Sequence, residues 1–171
     1  MSKEIITFER SVVWVNGRSQ GAQIMEIELP EIEWDTKEHE SLGLTGVIAY
    51  PTRIPVLEAT ITPAGYCKDL AAAAANPSVP ATIMVRSVYG RYLAGTRVSS
   101  VAGISTMRGR FMKATLGSQS QGEEENEYMM VVDYVKRTHD GELIVEYSAD
   151  ANIFRTGTTD FLAGVRAILG E

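Results

Sequence analysis

"EYMMVVDYVKRTHDGELIVEYSA", residues 127–149, has the plainest structural grammar in the chain. Two runs rich in β-branched and aromatic residues flank Asp140-Gly141. Asp-Gly suits the tight turns that join twisted antiparallel strands, because both central residues need positive φ. The stretch predicts a hairpin with strands at Tyr128–Arg137 and Glu142–Tyr147. Near the start of the chain Val12–Val15, also β-branched and aromatic, meets Asn16-Gly17. That predicts a second hairpin, whose returning strand runs on into residues 26–35.

That continuation, "EIELPEIEWD", holds Glu26, Glu28, Glu31, Glu33 and Asp35. Side chains alternate between the faces of a strand, so Ile27 and Leu29 share one face and Glu26 and Glu28 the other. Pro30 shifts the phase by a bend or bulge. Such a row faces water, a cation, or something negative that slides past. Residues 35–46 are polar and glycine-bearing and read as a long loop, as does the stretch 117–127. Residues 47–63 resume β character, with Pro51 and Pro55 at an edge or at bends.

Elsewhere the grammar changes. Asp69–Ala75 are good helix formers, stopped by Asn76-Pro77. Strands are predicted at Thr82–Tyr89 and Arg108–Leu116. At the C-terminal end, Thr158 or Thr159 caps an amphipathic helix with Asp160 in its first turn. Phe161, Leu162, Val165, Ile168 and Leu169 form its apolar stripe. The stripe predicts packing on a sheet of the same subunit.

At 171 residues, 44% hydrophobic and 22% charged, the composition fits one globular domain spanning 1–171. The net charge of −6 argues against gripping nucleic acid with the whole surface. A single cysteine, Cys67, excludes an intrachain disulfide framework and fits a reducing, cytoplasmic origin. The first ten residues lack the apolar run of a signal peptide, and no window is apolar for long enough to span a bilayer.

Reactive constellations are absent from the sequence. His39 and His139 lie in predicted loops or turns without a second ligand at metal-site spacing. Cys67 has no histidine near it in sequence and reads as a small buried residue. No phosphate-binding glycine pattern, nucleophile elbow or paired-cysteine motif occurs. The acidic row is a poor calcium site, because ligands on one strand point one way and cannot wrap an ion. The expectation is a protein without catalytic residues, metal or cofactor.

The charges are segregated. Arg86, Arg91, Arg97, Arg108, Arg110 and Lys113 fall in one stretch, with Tyr89 and Tyr92 between them. Arginine interleaved with tyrosine suits either a nucleic-acid surface or an interface with the acidic segment of a second copy. In a net acidic chain the second reading is favoured, and it amounts to head-to-tail self-association. The competing class is a small β-rich nucleic-acid-binding domain.

The order of these elements resembles the major tail tube proteins of contractile-tailed bacteriophages and phage-tail-like bacteriocins. Residues 13–46 resemble the family's opening, a short hairpin with an Asx-Gly turn, a strand carrying Leu29-Pro30, then a polar loop. Residues 154–171 resemble its close, with Gly157, Asp160, Leu162-Ala163 and Leu169-Gly170 at the matching points. The resemblance implies an α+β, β-rich fold: an antiparallel β-barrel or sandwich core with long hairpins, one short internal helix and a C-terminal amphipathic helix.

The resemblance also implies a structural subunit of six-membered rings that stack into a hollow tube of the virion tail. Implied partners are other copies of the chain, a contractile sheath, a baseplate, a tail terminator, an enclosed tape-measure protein, and DNA that passes without specific binding. A DNA-free injection particle is the alternative setting. On this reading Glu26, Glu28, Glu31, Glu33 and Asp35 line the channel, where carboxylates keep a polyanion from sticking. Lys37, Glu38, Glu40 and Leu42 of the first loop, with Arg86, Arg91, Arg97, Arg108 and Arg110, become candidates for contacts between subunits and rings.

Overall fold

A computed structural model describes residues 4–40, 45–115 and 126–170. The chain opens with β1 (Glu4–Val15), which turns through Asn16 and Gly17, at φ 47° and 81°, into the two-residue β2 (Arg18–Ser19). The predicted turn is there, but the long returning strand is not. After β2 a 3-10 turn, Gly21–Gln23, redirects the chain, and β3 (Ile24–Glu28) pairs with β6 (Leu57–Pro63). Residues 35–46 are not all loop. β4 (Thr36–His39) pairs with β5 (Ile48–Pro51) as a separate, fully exposed two-stranded sheet. Its base is closed by backbone bonds between Asp35 and both Thr52 and Arg53.

The internal helix α1 (Lys68–Ala74) falls one residue ahead of the predicted span. Then comes the longest hairpin, β7 (Ala81–Leu93) and β8 (Thr96–Lys113), joined through Ala94 and Gly95 at φ 49° and 82°. The predicted strand 82–89 lies within β7, and residues 108–113 of the predicted 108–116 end β8, which stops at Lys113; Ala114 and Thr115 lie beyond it and Leu116 lies outside the described residues. The hairpin of the opening stretch is present as β9 (Tyr128–His139) and β10 (Glu142–Ser148), with Asp140 and Gly141 at φ 52° and 80°. A small extra pair follows, β11 (Ile153–Thr156) and β12 (Thr159–Asp160). Helix α2 (Ala163–Leu169) starts later than predicted, because Thr159 and Asp160 belong to β12.

All described pairings are antiparallel, and apart from β4–β5 they build one ten-stranded sheet in the order β12-β11-β10-β9-β8-β7-β1-β2, with β6 also on β9 and β3 on β6. β9 divides one edge between two partners. Tyr128 to Val132 pairs with β6, and Tyr134 to His139 with β10. The change of partner falls where the β8–β9 register slips between Arg108 and Gly109. A Cβ on Gly109 would lie 1.9 Å from the Val131 carbonyl oxygen, so only glycine fits this close approach. Gln20 and the 3-10 turn alone separate β2 from β3, so the sheet's two ends lie a few residues apart and the sheet wraps round its core.

The core occupies the enclosed face. Val13, Val15, Ile83, Val85, Met107, Phe111, Tyr128 and Met130 are buried there, each at an alternate strand position. α1 closes it with Leu70 and Ala74, four residues apart on one face. Its alanines let the helix lie close to the sheet. Buried Gln20 ties this helix to the β1–β2 turn. Its amide donates to the Arg18 carbonyl (3.1 Å) and to Asp69 (3.4 Å), and its oxygen accepts from the Cys67 thiol at 3.1 Å. Cys67 is thus a buried structural residue, as its sequence setting predicts.

Candidate functional site

The opposite face of the sheet carries the charged residues singled out in the sequence. Pairing fixes the faces. Glu26 lies across from Thr62 and Glu28 across from Thr60, while Ile27 turns to the core. Beyond Pro30 the chain leaves the ladder, yet Leu29 and Ile32 still pack against the core. Glu31 and Glu33 therefore remain outside, and with Glu28 and Glu58 they line one open cleft of about 650 Å3 beside Pro55 and Val56. Among the described residues, no hydrogen bond or ion pair reaches the side-chain carboxylates of Glu26, Glu28, Glu31, Glu33 or Glu58. Asp35 stands apart from the row. Its carboxylate takes the Arg53 guanidinium at 2.8 Å and closes the base of the β4–β5 hairpin.

The basic stretch is largely spent inside the subunit. Arg91 pairs with Glu4 (2.6 Å) and Asp140 (3.4 Å). Arg97 grips Glu9 through two bonds of 2.9 Å. Arg108 bridges Asp133 (3.5 Å) and Asp150 (2.9 Å), Arg110 reaches Asp133 at 3.8 Å, and Lys113 holds Glu127 at 2.6 Å. These carboxylates sit on neighbouring strands and on the turns and ends beside them, out of view in the linear sequence. The stretch is therefore not one open cationic surface. Arg86 differs. It lies over the Trp14 ring at 5.5 Å, and with Arg10 it flanks an apolar groove of about 350 Å3 floored by Val12, Trp14 and Val88.

The pairing shifts proton affinities. The bond from Arg97 holds Glu9 below the usual carboxylate range. The Ser148 hydroxyl, then Arg108, does the same for Asp150, and Arg166 does so for Asp160. Tyr134 is pushed up by burial and by its bond to Glu146 at 3.0 Å, and Tyr147 by burial alone.

Of the first-loop candidates, Lys37, Glu38 and Glu40 are exposed on or beside the β4–β5 hairpin. Leu42 lies outside the described residues, as does most of the 117–127 stretch. His39 is on β4, and His139 ends β9 with its ring edge-on to Tyr89 at 5.1 Å. Among the described residues, no group of three His, Cys, Asp or Glu side chains could hold a metal.

Helix α2 corrects an expectation. Phe161, Val165, Ile168 and Leu169 are exposed, Ile168 to 87%, and Leu162 is half-buried. The stripe is real, but the helix is two turns long and hangs beyond the outermost strand pair, away from the core. Its hold is polar and aromatic. Asp160 pairs with Arg166 at 2.6 Å and accepts the Leu162 amide, and Phe161 packs on Phe154, which in turn meets Trp34. The sequence reading missed Glu58, Arg10 and Trp14 as surface residues of interest. Only alternation with Leu57 and Ala59 marks Glu58, and only strand pairing brings it to the acidic cleft.

Comparison with known proteins gives two kinds of match. A family model described as phage tail tube protein FII matches residues 7–170. Among solved structures, the chain is similar to one from the sheath-tube complex of an extracellular contractile injection system, PVC, in the extended state. Identity is 13% over 75% of this chain and 88% of that one, with a TM-score of 0.57. It is also similar to one from the PVC sheath/tube terminator, at 16% identity over 75% and 93% of the two chains and a TM-score of 0.55. No curated protein sequence matches.

Proposed function

The chain belongs to the phage tail tube protein FII family and is a structural tail tube subunit, and on that premise we propose that it works as stacked six-membered rings whose channel conducts cargo inside a contractile sheath. The observation that carries this reading is the open sheet. Among the described residues, no strand pairs with β1 on its outer side before Val13, and Ile5, Ile6 and Phe8 along it are exposed. Such an edge invites pairing with another chain, and closing sheets across copies into a barrel removes it. The ring-to-ring contact joins different surfaces and does not close on itself, so it propagates as a filament.

In this reading the tube has no reaction of its own. Its partners are the sheath outside, a terminator and baseplate at its ends, and a tape-measure protein and then DNA within. Glu26 and Glu28 line the channel, with Glu31 and Glu33 at its margin and Asp35 withdrawn into its pair with Arg53. The cations nearest this row, Arg108, Arg110 and Lys113, are clamped by carboxylates, while among the described residues the glutamates have no counter-cation. A surface with masked cations and bare carboxylates repels phosphates and does not retain them.

The β4–β5 hairpin, exposed at every described position, supplies the ring-to-ring contact. A second setting, a DNA-free injection particle, is kept open by the resemblance to tube subunits of an injection system. DNA content of purified particles separates the two. The test of the channel assignment is the structure of the assembled tube: Glu26 and Glu28 face the lumen, and their pointing outward to the sheath would overturn it.

A further inference from the structure

We propose that the cleft of Glu31, Glu33 and Glu58 on one subunit receives the Arg10–Trp14–Arg86 groove of the next copy in the ring; this rests on the tube reading above. Internal pairing acts as a filter on the surface charge. Most arginines of the outer face already hold a carboxylate of the same subunit, and charges satisfied in this way have little left for a neighbour. Among the described residues, Arg10 and Arg86 have no carboxylate within ion-pair distance, and Glu31, Glu33 and Glu58 have no cation.

The two surfaces match in shape of chemistry as well as sign. The groove is an apolar floor of Val12, Trp14 and Val88 between two guanidiniums. The cleft is an apolar knob, Val56, 67% exposed, amid carboxylates. Burying the knob against the indole while each guanidinium meets carboxylates couples apolar burial to charge-assisted hydrogen bonds. Crowded carboxylates repel one another in the free subunit, and two arriving cations relieve that repulsion.

Position decides the symmetry. The groove lies across β1 and β7 beside β2, and the cleft lies beside β3 and β6, on the branch that leaves the sheet at β9. A contact between two different surfaces of the same chain is head-to-tail, and it closes into a ring when the rotation permits.

The test uses two full-length variants, R10E/R86E and E31K/E33K/E58K, studied alone and as an equimolar mixture by sedimentation velocity and electron microscopy. Each variant alone carries like charges on both surfaces and should need at least about a hundredfold more protein to form rings. The mixture restores complementarity at every contact of an alternating, even-membered ring, so rings should return near the wild-type concentration. Variants that form rings as readily as the wild type, or a folded mixture that stays dispersed, overturn the proposal and leave the tube reading intact. Wild-type protein that forms no ring or tube at all overturns both. Should a variant not fold, as judged by circular dichroism, wild-type rings decide. The ring-forming concentration should rise at least about tenfold between low salt and about 1 M salt, where screening shrinks to about 3 Å, and an unchanged concentration contradicts the proposal.

Discussion

Gly109 on β8 and Val131 on β9 approach so closely that a Cβ on the glycine would sit 1.9 Å from the valine carbonyl oxygen. The contact lies at the register slip where β9 exchanges β6 for β10. Gly109→Ala therefore forces two central strands apart and should cost at least about 2 kcal/mol in denaturant unfolding. Wild-type stability in that variant would mean the slip is not needed.

The two helices should respond oppositely to truncation. Leu70 of α1 is fully buried, whereas Ile168 of α2 is 87% exposed. Leu70→Ala should destabilise the subunit by about 2–4 kcal/mol, and Ile168→Ala should stay within about 0.5 kcal/mol of wild type. Thermal or chemical melts of the unassembled subunit check this. A large loss from Ile168→Ala would place α2 in the core after all.

The ion pairs set a pH profile. Glu9, Asp150 and Asp160 bind protons less readily in the folded chain than in the unfolded one. The unfolded state therefore takes up more protons as pH falls, and the stability these groups give is present above their unfolded range and lost below it. Tyr134 and Tyr147 hold their protons more tightly when folded, so their contribution is lost as pH rises. The melting temperature should be level from about pH 5 to 9, falling below about pH 4 and above about pH 10. D150N/D160N should blunt the acid fall, and an acid limb identical to wild type would contradict these assignments.

The β4–β5 hairpin stands clear of the core. Deleting residues 37–45 should leave the subunit folded but able to reach only soluble subunits or single rings. Electron micrographs with long, normal tubes from the deletion would remove the hairpin from the ring-to-ring contact.

What the sequence made legible follows physical lines. Asp140-Gly141 and Asn16-Gly17 announced their turns because few residues tolerate positive φ, and both adopt it. The first half of β8 stayed hidden because Ser99, Ser100, Ala102 and Gly103 have weak strand preference; pairing with β7 on one side and, from Gly103, with β9 on the other makes it a strand. β4 offers no period at all, being polar at Thr36, Lys37, Glu38 and His39, and depends on β5 and the Asp35–Arg53 clamp. The α2 stripe was readable as a pattern, but a pattern does not say what covers it. Charges followed the same rule. The acidic row and the basic stretch were visible, while the carboxylates that engage Arg108 come from Asp133 and Asp150, which only the folded sheet brings near.

The central claim is that this sheet is completed by identical neighbours around a hole. Negative-stain microscopy of the purified protein at rising concentration tests it most directly. Annuli of six subunits and hollow rods built from them are the predicted result. A dispersed monomer at every concentration, with its β1 edge shielded from solvent, would contradict it.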